Sequence, residues 1–249
     1  MNSTIETILA HKSVRKFKDE KLSGEQIETL VKSAQAASTS SMIQAYTIIG
    51  VTDPDKKAEL AAIAGNQSYV EKNGHFFVFC ADLYRHEVIG EKEGAEVTDS
   101  LESTEKFMVA LIDAALAAQN ASVAAESMGL GICYIGGIRN DLNAVSEVLQ
   151  VPDRVIPLFG LAVGVPAEDN EVKPRRPSAH VYHENTYRSD KETVRRELEE
   201  YDRTVSEYYQ ERTSGRRTDT WSAQMARMLE GKKRMYMKEF IEKKKYDLK

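Results

Sequence analysis

The stretch TEKFMVALIDAALAAQNASVAAESM, residues 104–128, followed by GLGICYIGGIR, residues 129–139, decides how this chain folds. Alanine, leucine and methionine dominate the first part, with Asp113, Gln119, Asn120, Ser122 and Glu126 as its main polar interruptions. That composition predicts a long, mostly buried central helix, and Gly129 is placed to end it as the left-handed residue after the last turn. Residues 131–136 then read as a short strand.

Working outward, the segments on either side alternate strand and helix. Tyr46–Val51 is a β-branched run, and Asp53-Pro54 opens a helix to about residue 64. Residues 76–81 are apolar throughout, as a strand buried on both faces would be, although a buried helix fits the same run. Asn140 caps a helix to residue 149, and 155–165 is a further strand. Toward the N-terminus, Ser3 with Glu6 and Ser23 with Gln26 read as capping boxes of two helices. Strands alternating with helices predict α/β layering, with helices on both faces of a sheet. Residues 173–177, Lys-Pro-Arg-Arg-Pro, form a stiff link, and beyond it helical patterns at 190–211, 219–230 and 235–245 are dense in charge. Those helices have too little apolar face for a core of their own, so they must pack on the body or on a second copy of it.

The chain has 249 residues and a net charge of −5, divided unevenly. Residues 1–172 carry 14 basic and 25 acidic side chains, net −11, while 173–249 carry 20 and 14, net +6. A basic tail admits nucleic acid as a partner, but the interleaved acids and the acidic body argue against a polyanion. Cys80 and Cys133 lie in apolar runs and are expected as buried, reduced thiols. With no long uninterrupted apolar run and no signal-like start, neither membrane insertion nor export is expected, and the protein is placed in the cytoplasm. Dinucleotide, P-loop, zinc-protease and hydrolase-elbow motifs are all missing, and no metal site is expected.

Three clusters carry chemistry. His11, Lys12, Ser13 and Arg15, around Val14, suit a phosphate held without a metal, or else make a solvated basic turn. In 134–139, paired glycines at a strand end let a ligand approach the backbone, or else make a tight turn. Arg212, Arg216 and Arg217 around Gly215 read as an anion clamp or as a charged inter-helix loop.

Taken together with Gly65-Asn66-Gln67, Phe79-Cys80-Ala81-Asp82, Lys173-Pro174-Arg175, His183-Glu184-Asn185 and Asp219-Thr220-Trp221, these clusters resemble the oxygen-insensitive nitroreductase and flavin reductase family, in its larger NADPH-dependent, NfrA-type branch. The resemblance implies a nitroreductase-like α+β fold. A central mixed β-sheet is flanked by helices, with 1–172 as the FMN-binding core and 173–249 as a helical extension, not an independent domain, that embraces the partner of a homodimer. It implies FMN contacts at His11, Lys12, Ser13, Val14, Arg15, Thr39, Gln67, Tyr69, Tyr134, Ile135, Gly136, Gly137, Arg139, Lys173 and Arg175. Arg212, Arg216 and Arg217 would meet the 2′-phosphate of NADPH, with NADH a weaker donor. The implied activity is ping-pong hydride transfer through flavin N5 to nitroaromatics, quinones or related flat acceptors, with no side chain acting as catalytic acid or base. A flavin or azo reductase shares that mechanism, and a non-catalytic flavin-binding protein is the reading from another class. This chain departs from the commonest pattern at Lys12 (usually Arg), Thr39 (usually Ser) and Tyr69 (His in the enteric branch).

Overall fold

A computed structural model describes residues 1–249. Its central helix, Thr104–Ser127, is the seventh of the chain, α7. Ser103 caps it by accepting from the Lys106 N–H, and Gly129 follows its end at φ +76°. By length and composition α7 could cross a membrane. Here it is a core helix: Ala110, Ala114, Ala117, Ala118, Ala121 and Ala125 are buried, and these small side chains let the sheet and helix α2 (Gly24–Gln35) lie close to its backbone. The opposite stripe, Met108, Ile112 and Leu116, is exposed.

Four strands, β1 (Tyr46–Val51), β2 (His75–Asp82), β3 (Gly131–Ile135) and β4 (Val155–Gly164), form one sheet in the order β1-β2-β4-β3. β2 settles the ambiguity of its apolar run. It lies between β1 and β4, with Phe77, Phe79 and Ala81 in the core layer of α2 and α7. Phe76, Val78 and Cys80 face the layer of helices α3 (Pro54–Ile63) and α8 (Leu142–Leu149). The α+β expectation holds, but the sheet is not mixed: every neighbouring pair runs antiparallel, and the one parallel pairing is the isolated bridge from Ser13 to Ile132. The alternation of helix and strand does not here make parallel strands. Instead α3 folds back on the single turn α4 (Ser68–Glu71), so the connection leaves β1 and enters β2 at the same end of the sheet.

At Phe79/Cys80 the β2–β4 register slips by one residue, beside Pro157, which lacks an N–H. Leu158 is the extra residue, and its carbonyl accepts from Arg139 Nη1 at 2.6 Å. The bulge therefore serves the loop after β3.

Two caps differ from the sequence reading. Asn2, not Ser3, caps helix α1 (Ser3–Leu9), and Asp141 caps α8, because the Asn140 side chain is taken up by Ile63 O and Arg234. Helices α5 (Tyr84–Glu93) and α6 (Thr98–Leu101) carry no periodic signal and were not anticipated.

Met1–Asn170 and Arg234–Lys249 form one compact unit, and Glu171–Lys233 another. In the first, the C-terminal residues return to the core: Phe240 and Ile241 of α11 (Met237–Lys243), and Tyr246 after it, are buried among the α7-side side chains. In the second, α9 (Lys191–Arg212) is capped by Asp190 and α10 (Trp221–Glu230) by Thr220. Tyr201 meets Trp221 edge-on at 5.6 Å, and Ser222 N–H donates to Asp202.

His75, at the start of β2, is 6% exposed, and its Nε2 has no hydrogen-bond partner. Burial first, then Lys57, lower its pKa from 6.5 to about 4. The unfolded chain therefore binds the proton more readily between those values, so His75 favours folding above pH 6.5 and this contribution is lost as pH falls through that window. Unfolding free energy should drop by on the order of 3 kcal/mol from this residue alone. Urea titrations at pH 7 and pH 4 should show that drop, and His75→Leu should remove about that much of the difference.

Candidate functional site

The bridge from Ser13 to Ile132 lays the basic segment 11–15 alongside β3, with Val14 N–H donating to Ile132 O at 2.8 Å. Val14 is buried, and Gly131 makes this approach possible: a Cβ there would sit 2.6 Å from Val14 Cγ2. Val14 thus contributes position, while the polar side chains around it remain at least partly accessible. Residues 16–18 continue against 165–167 through Lys18 N–H to Val165 O and Ala167 N–H to Lys16 O.

Three side chains of this basic segment have carboxylate partners that sequence reasoning missed. His11 Nδ1 pairs with Glu126 at 2.7 Å, Lys16 with Glu168 at 2.8 Å, and Lys12 with Asp169. Lys12 holds the Asp169 carboxyl below the usual carboxylate range. Asp169 is 90% exposed, so its pair with Lys12 is screened by solvent and exchanges readily for a better anion. Arg15 has no carboxylate partner and is exposed. A cleft of 460 Å³ opens here, lined by Lys12, Glu126, Asp169 and the backbone of 129–131.

At the other end of β3, the strand passes into a 3₁₀ turn, Gly136–Asn140. The two glycines differ. Gly137 has the carbonyl of Ala64 2.6 Å from where a Cβ would stand, so it is required by close packing on the end of α3. Gly136 meets only the flexible Arg139 guanidinium, at 3.0 Å, so its backbone is the one a ligand could reach. Tyr134 is partly exposed, its ring edge-on to Phe159 at 5.5 Å and its hydroxyl hydrogen-bonded to Ser122 at 2.8 Å. Burial pushes its phenol pKa up. Ile135 is buried. Burial, with Arg234 nearby, lowers the Arg139 pKa. Asn140 Nδ2 donates to Ile63 O, which ties the α3 end, and with it Gln67 and Tyr69, to this turn. Cations at one end of β3 and bare backbone at the other fit a flavin mononucleotide.

Thr39 is not brought to this set. Its loop has left-handed backbone at Ser41, Met42 and Gln44, and it is pinned by the buried Asp113, which accepts from Ser40 N–H at 3.1 Å and Ala45 N–H at 3.0 Å. His11 is pinned at Glu126 on the same helix, thirteen residues further on, or roughly 20 Å along α7. Lys173 and Arg175 lie in the second unit, on the extended segment before Pro177, both exposed. In that unit Arg212, Arg216 and Arg217 gather at the α9–α10 loop, where Arg212 Nη1 donates to Tyr208 Oη at 2.8 Å and Arg217 Nε to Asp219 Oδ2 at 3.0 Å.

A family model described as Nitroreductase family matches residues 8–165, and one described as Nitroreductase family, C-terminal domain, matches 173–249. The chain is 61% identical over 247 residues, 99% of each chain, to a Bacillus subtilis protein named FMN reductase (NADPH). It superposes on B. megaterium NfrA1 with a TM-score of 0.98 at 62% identity, covering 99% of this chain and 100% of that one. On an NADPH:FMN oxidoreductase from Vibrio harveyi complexed with NAD+, the TM-score is 0.89 at 40% identity over the whole of both chains.

Proposed function

The chain belongs to the nitroreductase family, and on that premise we propose that it is an NADPH-dependent FMN oxidoreductase whose acceptors are nitroaromatics, quinones or related flat molecules. The observation that carries this reading is the Ser13–Ile132 bridge, which sets an anion-binding segment beside a strand that ends in open backbone. When bound, FMN supplies two-electron exchange between the nicotinamide and the acceptor.

His11, Lys12, Ser13 and Arg15 would hold its phosphate, with Lys12 exchanging its exposed partner Asp169 for that anion. The N–H of Gly136 is the donor offered to the ring edge, and Tyr134, Gln67 and Tyr69 bound the ring's surroundings. Arg139, held on the Leu158 carbonyl, keeps a positive charge beside that edge. Arg212, Arg216 and Arg217 take the 2′-phosphate of NADPH, so NADH is the weaker donor. No side chain here is asked to act as acid or base.

The working unit is a homodimer. Thr39 is roughly 20 Å of helix away from His11 on its own chain, so a second copy supplies it. The exposed stripe of Met108, Ile112 and Leu116 on α7, with Ile5, Ile8 and Leu9 on α1, offers apolar surface for that copy. Residues 171–233, outside the sheet-bearing unit, are the part that embraces it. The chain's two cysteines, Cys80 and Cys133, are buried, which favours a reducing compartment such as the cytoplasm.

Purified protein should be yellow and should bleach anaerobically on adding NADPH. Arg217→Ala should raise the KM for NADPH about tenfold while leaving that for NADH within a factor of two, since a charge-assisted phosphate contact contributes about 1.5–3 kcal/mol. A colourless protein, or equal effects on the two nucleotides, would refute the flavin or the phosphate assignment respectively.

A further inference from the structure

We propose that Tyr209 is a positioning residue for NADPH selection, presenting the Arg217 guanidinium edge-first to the 2′-phosphate. The proposal rests on the reading of Arg217 as a phosphate contact.

The three arginines of the α9–α10 loop are not equivalent. Arg217 Cζ lies 4.0 Å from the centroid of the Tyr209 ring, a close cation–π stack. Arg212 is 5.8 Å from the Tyr208 centroid and is held instead through the Tyr208 hydroxyl. Arg216 Nε donates to Thr213 O, within the loop. Only Arg217 combines a close aromatic contact with a carboxylate partner for its guanidinium. Its Cζ lies over the Tyr209 ring and its Nε donates to Asp219 Oδ2 at 3.0 Å, while the backbone N–H of the same residue donates to Thr213 Oγ1 at 2.9 Å. Asp219 is held in turn by Arg227 at 2.8 Å.

With Tyr209 on one side and Nε engaged by Asp219, the terminal Nη1 and Nη2 edge carries no carboxylate. That edge matches two oxygens of a phosphomonoester. An arginine free to rotate must be ordered by the ligand, whereas this one is ordered beforehand, and the ordering costs the ligand nothing. Tyr209 itself need touch no nucleotide. It belongs to α9, so the rigid helix rather than the loop sets where the charge points.

The test compares the wild-type holoenzyme with Tyr209→Leu and Tyr209→Phe, using adenosine 2′,5′-bisphosphate and 5′-AMP as competitive inhibitors and NADPH and NADH as donors. Tyr209→Leu should raise the inhibition constant of the bisphosphate and the KM for NADPH about fivefold, the effect confined to the ligands that carry the extra phosphate, while Tyr209→Phe, which keeps the ring, should match wild type. If the wild type itself fails to prefer the bisphosphate over 5′-AMP, the reading of Arg217 falls, and this proposal with it. If that preference is present but unchanged in Tyr209→Leu, only the positioning role is overturned. If Tyr209→Leu weakens phosphorylated and unphosphorylated ligands equally, or Tyr209→Phe is as impaired as Tyr209→Leu, the ring's stacking on Arg217 is not the cause and the proposal also fails.

Discussion

Arg154→Ala should lower the unfolding free energy by about 3–5 kcal/mol, the loss that follows when one member of a buried charge network is removed and its partners are left unpaired. Arg154 is only 3% exposed. Its Nε donates to Glu87 at 2.7 Å, its Nη1 to Lys245 O at 2.8 Å, and its Nη2 faces Glu102 at 3.6 Å. Its backbone is equally committed, with its N–H donating to Lys244 O and its carbonyl accepting from Leu83 N–H and the Tyr246 hydroxyl. One residue thus ties α5, the α6–α7 junction and the C-terminal segment to β4. Chemical denaturation should show an earlier midpoint for Arg154→Ala. Arg154→Met fills the space but still strands Glu87, so it should recover only part of the loss. A change below 1 kcal/mol for Arg154→Ala would show that the C-terminal segment holds without this residue.

Gly131→Ala should weaken flavin binding about tenfold, and Val14→Gly in the same chain, which removes the Cβ as well as the methyls, should restore it. The added Cβ would stand 2.6 Å from Val14 Cγ2 and 2.8 Å from Val14 Cβ, so the backbone of 13–15 must move away from β3. Overpacking of that kind costs about 1–3 kcal/mol. Here it falls on the bridge that aligns Ser13 and Arg15 with the end of the strand, so much of it should appear as lost affinity. Val14→Gly makes room, and the two substitutions should be strongly non-additive. Quenching of FMN fluorescence measures the four affinities. A double variant as weak as Gly131→Ala alone would mean that the bridge is not what couples the segment to the strand.

Much of the frame was legible because local rules were obeyed. The apolar run at 76–81 demanded cover on both faces and has it, the Ser23–Gln26 box forms as read, and β1 has the bounds its β-branched run implied. Strand direction was not legible, since alternation gives the order of elements and not whether a connection returns to the end it left. Buried charge was illegible for a similar reason. Arg154 and Asp113 look like surface residues until their partners, distant in sequence, are brought to them. Charge around Phe240, Ile241 and Tyr246 likewise hid a segment that belongs to the core. At the site, the basic cluster and the strand-end glycines stood out. Glu126 and Asp169 did not, lying 115 and 157 residues from the bases they pair with. Nor could sequence show that Gly137 serves packing while Gly136 is left open.

The length of α7 has a consequence for how the protein behaves in dilute solution. Asp113 fixes one end of the site's requirements and Glu126 the other, on a rod that does not bend them together. If a second copy supplies Thr39, as proposed, cofactor retention becomes a second-order property of chain concentration. Halving the amount of protein then more than halves the amount that holds flavin, once the concentration nears the dimer's dissociation constant. A cell making few copies would carry mostly colourless chains, and activity per chain would rise with expression.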